Sequence, residues 1–355
     1  MTIDLFFEEK YGAAPHVSVF VPGRVNLIGE HIDYNGGRVL PHALHRGVSL
    51  ALSLREDQII RVISDRFEGT SQSVIGDAPP HAWARYAVYS LQLAYDLGWI
   101  TSGADLGVVS NLNDGAGLSS SAALCVAVLK SLRSVLDRSE TDIEIAQLAR
   151  RVENEYIGMP CGIMDQMAVS VAKPGEALFL DTAALDYEAI TLPRNVAFVV
   201  LHSGVHRELA DGRYKMRKEE CDTAKRHFGT ENLCQLPLND VLGDKELPET
   251  IKHRVRHCIL EHERTIAAAQ LLRSGSITEF GLLMNESHLS MRDDFDISLP
   301  QIDDLVSTAQ SAGALGARLT GGGFGGCIVA AVERPIQDRW VADVLTDHPH
   351  AFLVE

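Results

Sequence analysis

Short β-branched and apolar runs alternate along this chain with glycine-rich polar turns, and stretches of helical periodicity separate them. Val17-Ser18-Val19-Phe20-Val21 ends at Pro22-Gly23 and predicts a strand, and Val39-Leu40 predicts another beyond a polar turn region. Residues 47–54 and 58–64 are strand-like. A helix is expected across 83–97, with Trp83 and Tyr86 three apart on one face. A strand at 104–109 follows, then an apolar helix from Ala122 to about Val135. Ile145, Leu148, Ala149 and Val152 recur at helical spacing and predict a helix from Ile143 to about Glu155. Further strands are expected near 177–180 and 196–201.

Beyond that point the composition shifts toward charged helices, one carrying Tyr214 to Cys221, one over 252–273 and one near 302–312. Their alternating acids and bases mostly form a solvated face. The shift places a boundary near residue 190, giving domains 1–190 and 191–355. Two domains also suit a 355-residue chain, at about 100–200 residues per domain.

With 46% apolar and 23% charged residues and mean hydropathy near zero, the composition is that of a soluble globular protein. No apolar run approaches the ~18 residues of a membrane span. The first ten residues are acidic where a secretory signal would be basic, so a cytoplasmic location is expected. Six scattered cysteines without a C-x-x-C pair point to reduced thiols and no zinc site. A net charge of −16 argues against a nucleic-acid surface, and an anionic nucleotide must therefore be held by local N–H groups, a cation and a few arginines.

Four stretches carry the candidate chemistry. Between Gly23 and Gly37, Arg24, Asn26, Glu30, His31 and Asp33 crowd together, too polar for core, which marks a functional rim. Asn113-Asp114-Gly115-Ala116-Gly117-Leu118-Ser119-Ser120-Ser121 sets glycines and hydroxyls in front of a helix. Such a loop can cradle phosphate with backbone N–H groups, its serines capping the helix, donating to phosphate or ligating magnesium. It is not a Walker A loop, and taken alone it reads equally as a glycine-rich turn with a serine cap. Asp165, in the Gly/Pro-broken run 158–166, is either a constrained reactive acid or a helix cap. Gly321-Gly322-Gly323-Phe324-Gly325-Gly326 precedes a β-branched strand and suggests close approach to the backbone. Trp83 reads as core or as the apolar wall of a purine pocket, and stands as an ATP-binding candidate on the second reading.

Together these stretches resemble the GHMP small-molecule kinases, and among them the galactokinases, over nearly the whole chain and in the family's order. Residues 23–37 read as the galactokinase signature, 115–123 as the phosphate loop, 160–166 as the catalytic segment and 320–327 as the third motif. The resemblance implies an α+β fold of two domains, the C-terminal one ferredoxin-like, with the active site between them. It implies ATP-dependent phosphorylation of the anomeric C1 hydroxyl of galactose. Asp165 and Arg24 would flank the reacting hydroxyl. Glu30, His31, Asp33, Cys161, Gly162 and Tyr214 would hold the sugar, and Gly115, Ala116, Gly117, Leu118, Ser119, Ser120 and Ser121 the ATP phosphates. Ser121 and Glu153 would hold Mg2+.

The chain departs from that pattern at Asn113 and Asp114, where the family usually has proline and a small or apolar residue, and at Cys125 and Lys215. Other readings are a kinase for a related sugar such as N-acetylgalactosamine, and a catalytically silent sugar sensor. Cys161-Gly162-Ile163 favours galactose over the first, whose members tend to have glycines there. The complete run Ser119 to Ala123 weighs against the second. The motifs imply no protein partner.

Overall fold

The computed structural model describes residues 2–113, 117–205 and 210–355, apart from the side chains of residues 210 and 211. In chain order the elements begin α1 (Ile3–Tyr11), β1 (Val17–Asn26), β2 (Arg38–Val39), β3 (Pro41–Leu54), β4 (Ile59–Ser64) and β5 (Thr70–Val74). Next come α2 (Arg85–Asp96), β6 (Ala104–Ser110), α3 (Ser120–Val135), α4 (Asp142–Arg151) and α5 (Met164–Val171), followed by β7 (Glu176–Asp181), β8 (Asp186–Thr191) and β9 (Val196–His202). The last are α6 (Ala210–Phe228), α7 (Leu238–Gly243), α8 (Glu249–Ser274), α9 (Ile277–Asp293), α10 (Pro300–Ser311), β10 (Gly316–Thr320), β11 (Cys327–Glu333), α11 (Gln337–Asp347) and β12 (Phe352–Leu353).

The described residues form two compact units that are not consecutive halves of the chain. One comprises Met1–Arg24, Leu44–Leu112 and Ser119–Val171, and the other Val25–Ala43, Asn113–Leu118 and Ala172–Glu355. A single cut at residue 190 therefore does not divide them. The reason lies in strand pairing: β2 pairs with β7, β7 with β8, and the Leu27 N–H donates to the Leu40 carbonyl, which draws residues 25–43 to the strands that follow residue 172.

In the first unit β3 runs antiparallel to β6 from Val48↔Ser110 to Leu54↔Ala104, while β4 runs parallel to β6 and antiparallel to β5. Leu50, Leu52, Val62 and Leu106 are buried on these strands, and Leu91, Val126 and Leu129 on the helices. Helices α2, α3, α4 and α5 pack on one another. A reciprocal capping box opens α4: Thr141 Oγ1 accepts the Glu144 N–H, and Glu144 accepts the Thr141 N–H. At its other end α4 widens into a π-helical turn, Val152–Ile157, closed by Gly158 at φ 77°. Such turns often re-aim side chains at functional sites, and here the turn carries Glu153.

In the second unit β9, β10, β11 and β12 form an antiparallel sheet in the order β10-β11-β9-β12. Helices follow β9, and α11 joins β11 to β12, which makes the expected ferredoxin-like arrangement. Trp340 of α11 is buried and donates its Nε1–H to the Ala309 carbonyl at 2.9 Å.

Several elements differ from the sequence expectation. The helix placed at 83–97 begins as a 3-10 turn, Ala82–Ala84, so Trp83 stands before α2 rather than on it. The strand at 47–54 starts earlier, at Pro41. Helices α1, α7, α9 and α11 and strands β5, β8, β10 and β12 had no expectation. Strand β5 turns serines, Ser71 and Ser73, to its covered side and β8 is mostly exposed, so neither shows the apolar alternation that marks a strand in sequence.

Candidate active site

The first unit gathers the acid, the arginine and the hydroxyls. Asp165 lies in the first turn of α5 and Arg24 near the end of β1. Arg24 donates Nε–H to Asp165 Oδ1 and Nη2–H to Oδ2, both at 2.7 Å, in the planar fork that suits a carboxylate. The Arg24 side chain is 6% exposed but that of Asp165 is 33%, so the acid can still be reached by a ligand. Asp165 is thus a first-turn residue paired with arginine and not a helix cap.

Ser119, at the N-terminal boundary of α3, adopts φ 61°, ψ 38° and makes no capping bond to its own helix. Its hydroxyl donates instead to Asp165 Oδ2 at 2.7 Å. Ser120 is exposed and Ser121 half-buried. Glu153 Oε2 accepts from the Gln166 amide and lies 3.5 Å from Cys161 Sγ, and Ser121 acts on the same carboxylate. Burial raises the Glu153 pKa and the charge of Asp165 adds to that, while the bonds from Ser121, Cys161 and Gln166 oppose it.

Gln166 Oε1, buried beside this carboxylate, has no hydrogen-bond partner among the described residues. A buried carboxylate, a hydroxyl and an unsatisfied amide oxygen are hard donors of the kind magnesium takes, and magnesium usually needs only one or two protein ligands besides phosphate. Cys161 is half-buried, with its N–H on Asn154 Oδ1 at 2.9 Å, and Gly162 next to it is buried. Trp83 stacks on Phe67, rings 5.2 Å apart and 8° from parallel, and remains half-exposed.

Within the phosphate-loop candidate, Asp114, Gly115 and Ala116 lie outside the described residues. Gly117 has φ 72°, which a Cβ disfavours, and Leu118 is buried.

The second unit gathers most of the expected sugar ligands. His31, at φ 59°, bonds through Nδ1 to the Tyr34 hydroxyl at 2.7 Å and lies 3.3 Å through Nε2 from the Gly322 carbonyl. Its ring packs against Tyr214 of α6 and against Phe295, with centroids 5.1 and 4.8 Å away. Asp33 opens the short 3-10 helix Asp33–Asn35 and is half-buried. Glu30 is only 1% exposed. The Asn26 amide and the Gly321 N–H donate to it, with Thr320 Oγ1 at 3.3 Å and Arg318 Nη2 at 3.3 Å. Glu30 thus ties the signature loop to the third glycine motif.

Two residues that the sequence reading passed over complete that tie. Arg318 is fully buried, and Glu261 of α8 accepts the Gly29 N–H at 2.9 Å and the Ser287 hydroxyl at 2.6 Å. Burial alone would raise the Glu261 pKa, but the charges of Arg264 and Arg318, together with His257 and Ser287, bring it down to about 2. The one sequence signal was an arginine set among apolar residues in Ala317-Arg318-Leu319.

Family models match in the same order. The galactokinase galactose-binding signature covers residues 5–54, the GHMP kinase N-terminal domain 83–173 and the GHMP kinase C-terminal domain 268–348. A galactokinase from Roseiflexus sp. (strain RS-1) is 44% identical over 340 residues, 92% of this chain and 86% of that protein. The crystal structure of Lactococcus lactis galactokinase complexed with galactose superposes with a TM-score of 0.93 at 30% identity, over 99% of this chain and 97% of that one. Methanococcus jannaschii mevalonate kinase, at 20% identity, shares the fold with a TM-score of 0.68. The fold is that of the GHMP kinases, which makes the protein a phosphotransferase. Within that class, the chain belongs to the galactokinase family of sugar kinases.

Proposed function

We propose that this protein transfers the γ-phosphoryl group of ATP to the C1 hydroxyl of D-galactose, giving galactose 1-phosphate and ADP. The observation that carries the reading is the arginine fork on a reachable carboxylate, Arg24 on Asp165. Phosphoryl transfer passes through a loose transition state, so a protein serves it mainly by positioning the reactants and neutralising charge on oxygen.

Asp165 accepts the C1 hydroxyl proton as that oxygen bonds to phosphorus and the bond from phosphorus to the bridging oxygen of ADP breaks. Arg24 orients the Asp165 carboxylate and supplies positive charge near the phosphoryl oxygens. Glu30, His31, Asp33, Cys161, Gly162 and Tyr214 hold the sugar, and Glu30 acts partly by fixing the loop that carries His31 and Asp33. Gly115 to Ser121 hold the phosphates and Trp83 walls the purine. Ser121 and Glu153 hold magnesium, with Gln166 beside them. Bound there, the ion supplies charge neutralisation on the phosphate oxygens.

None of the six cysteines is in a disulfide, and no helix among the described residues is long and apolar enough to cross a membrane, which supports a cytoplasmic setting. One assay tests the function: ATP-dependent phosphorylation of galactose, glucose, galactosamine and N-acetylgalactosamine, with the phosphorylated carbon located by NMR. Galactose 1-phosphate as the dominant product is expected. A different preferred sugar, or no transfer, overturns the reading.

A further inference from the structure

Asp165 is crowded with donors. Arg24 Nε lies 2.7 Å from Oδ1, Arg24 Nη2 lies 2.6 Å from Oδ1 and 2.7 Å from Oδ2, and the Ser119 hydroxyl lies 2.7 Å from Oδ2. A carboxylate oxygen offers about two lone-pair positions, so the bonds from Arg24 Nη2 and Ser119 fill Oδ2, while Oδ1 accepts from Arg24 Nε with Nη2 crowded against it. For Oδ2 to accept a proton from an incoming hydroxyl, one of its two donors must leave. The Arg24 contacts are charge-assisted and doubly anchored, which makes the arginine the harder donor to displace. Ser119 is neutral and its hydroxyl turns about one bond. It is buried, its backbone is held in the left-handed region that non-glycine residues avoid, and its side chain is withheld from the helix end it would ordinarily cap.

We propose that Ser119 is a positioning residue that couples nucleotide binding to proton acceptance. Its hydroxyl donates to Asp165 Oδ2 until a nucleotide phosphate oxygen takes that hydrogen bond. Oδ2 is then released to accept from the sugar C1 hydroxyl. Serine keeps its proton throughout, and only the acceptor changes. The mechanism rests on the function proposed above and adds to it an order of events: the phosphate donor unlocks the acid for the phosphate acceptor.

The test is galactose binding by titration calorimetry, with and without the magnesium complex of a β,γ-imido ATP analogue. The proteins are wild type, Ser119→Gly and Ser119→Thr, with thermal melts as a check on folding. Glycine removes the hydroxyl and relaxes the positive φ, whereas threonine keeps the hydroxyl and strains the backbone further. Wild type should bind galactose about fivefold to tenfold more tightly with the analogue, the worth of one released hydrogen-bond position. Ser119→Gly should bind as tightly without the analogue as wild type does with it, and gain nothing on its addition. Ser119→Thr should keep the coupling although it melts lower, since a merely structural role would make coupling follow stability. Coupling of wild-type size in Ser119→Gly, or none in wild type, overturns the proposal while leaving the kinase reading intact. Failure of wild type to bind galactose under either condition overturns both.

Discussion

A carboxylate held by an arginine fork is easily damaged without harm to the fold around it. Asp165→Asn keeps the side-chain shape but loses charge and basicity, so turnover should nearly vanish while nucleotide still binds. Arg24→Ala should lower kcat by roughly 10²–10³-fold, the scale of removing one preorganised donor to a developing charge. Steady-state kinetics on the purified variants checks both, and near-normal turnover in either removes its assigned role. Specificity is also decided residue by residue. If Asp33 and Tyr214 read the axial C4 hydroxyl, glucose leaves a buried polar group unpaired, at about 1–3 kcal/mol each. Comparing kcat/KM for galactose and glucose in wild type, Tyr214→Phe and Asp33→Ala should show strong preference in the first, a reduced preference in the second and severe loss in the third.

At the scale of the element, helix α3 and the π-helical turn after α4 carry the proposed phosphate and magnesium ligands. Gly117 stands at φ 72°, so Gly117→Val should raise the KM for ATP and lower kcat, because a β-branched residue resists that backbone and intrudes on bound phosphate. Unchanged ATP kinetics would mean that this glycine does not face the nucleotide. Much of this scale could be read from the sequence. The signature polar residues, the serine-rich start of α3 and the acid in a broken run announce themselves because chemistry puts polar side chains where packing alone would not. The Ser119 contact to Asp165 was hidden because a serine before a helix normally caps it, and nothing in its spelling shows a left-handed backbone. The burial of Glu30 was hidden too, since its counter-charge, Arg318, stands far along the chain.

The molecule as a whole answers to pH and to the integrity of its buried charges. His257 is fully buried between Ser290 and the Glu30 carbonyl, and desolvation lowers its pKa to about 4. Below about 6.5 the unfolded chain binds a proton there that the folded chain refuses, so stability should fall as pH drops from 6.5 toward 4. Glu261, folded near 2 against 4.5 unfolded, extends the loss, its contribution being present above 4.5 and fading as pH falls through 2. Melting temperatures from pH 7 to 4 should decline, and His257→Gln should flatten the upper part of that decline. Arg318→Met leaves Glu30 and Glu261 without their shared cation and should cost about 3–5 kcal/mol in urea unfolding. The ferredoxin-like unit was legible in outline, but the interleaving of the two units was not, because composition registers local character and not which distant strand a segment will pair with.

That interleaving bears on how the chain is made. Residues 25–43 leave the ribosome early, yet the Glu30 partner at Gly321 lies 291 residues further on and the Gly29 partner at Glu261 lies 232 residues on. At about 5–20 residues per second, the segment waits roughly 15–60 s for Gly321 to be synthesised. Meanwhile the residues of the first unit, which end at Val171, are all available. The sugar signature is therefore among the first parts of the protein to be translated and among the last to reach its folded place.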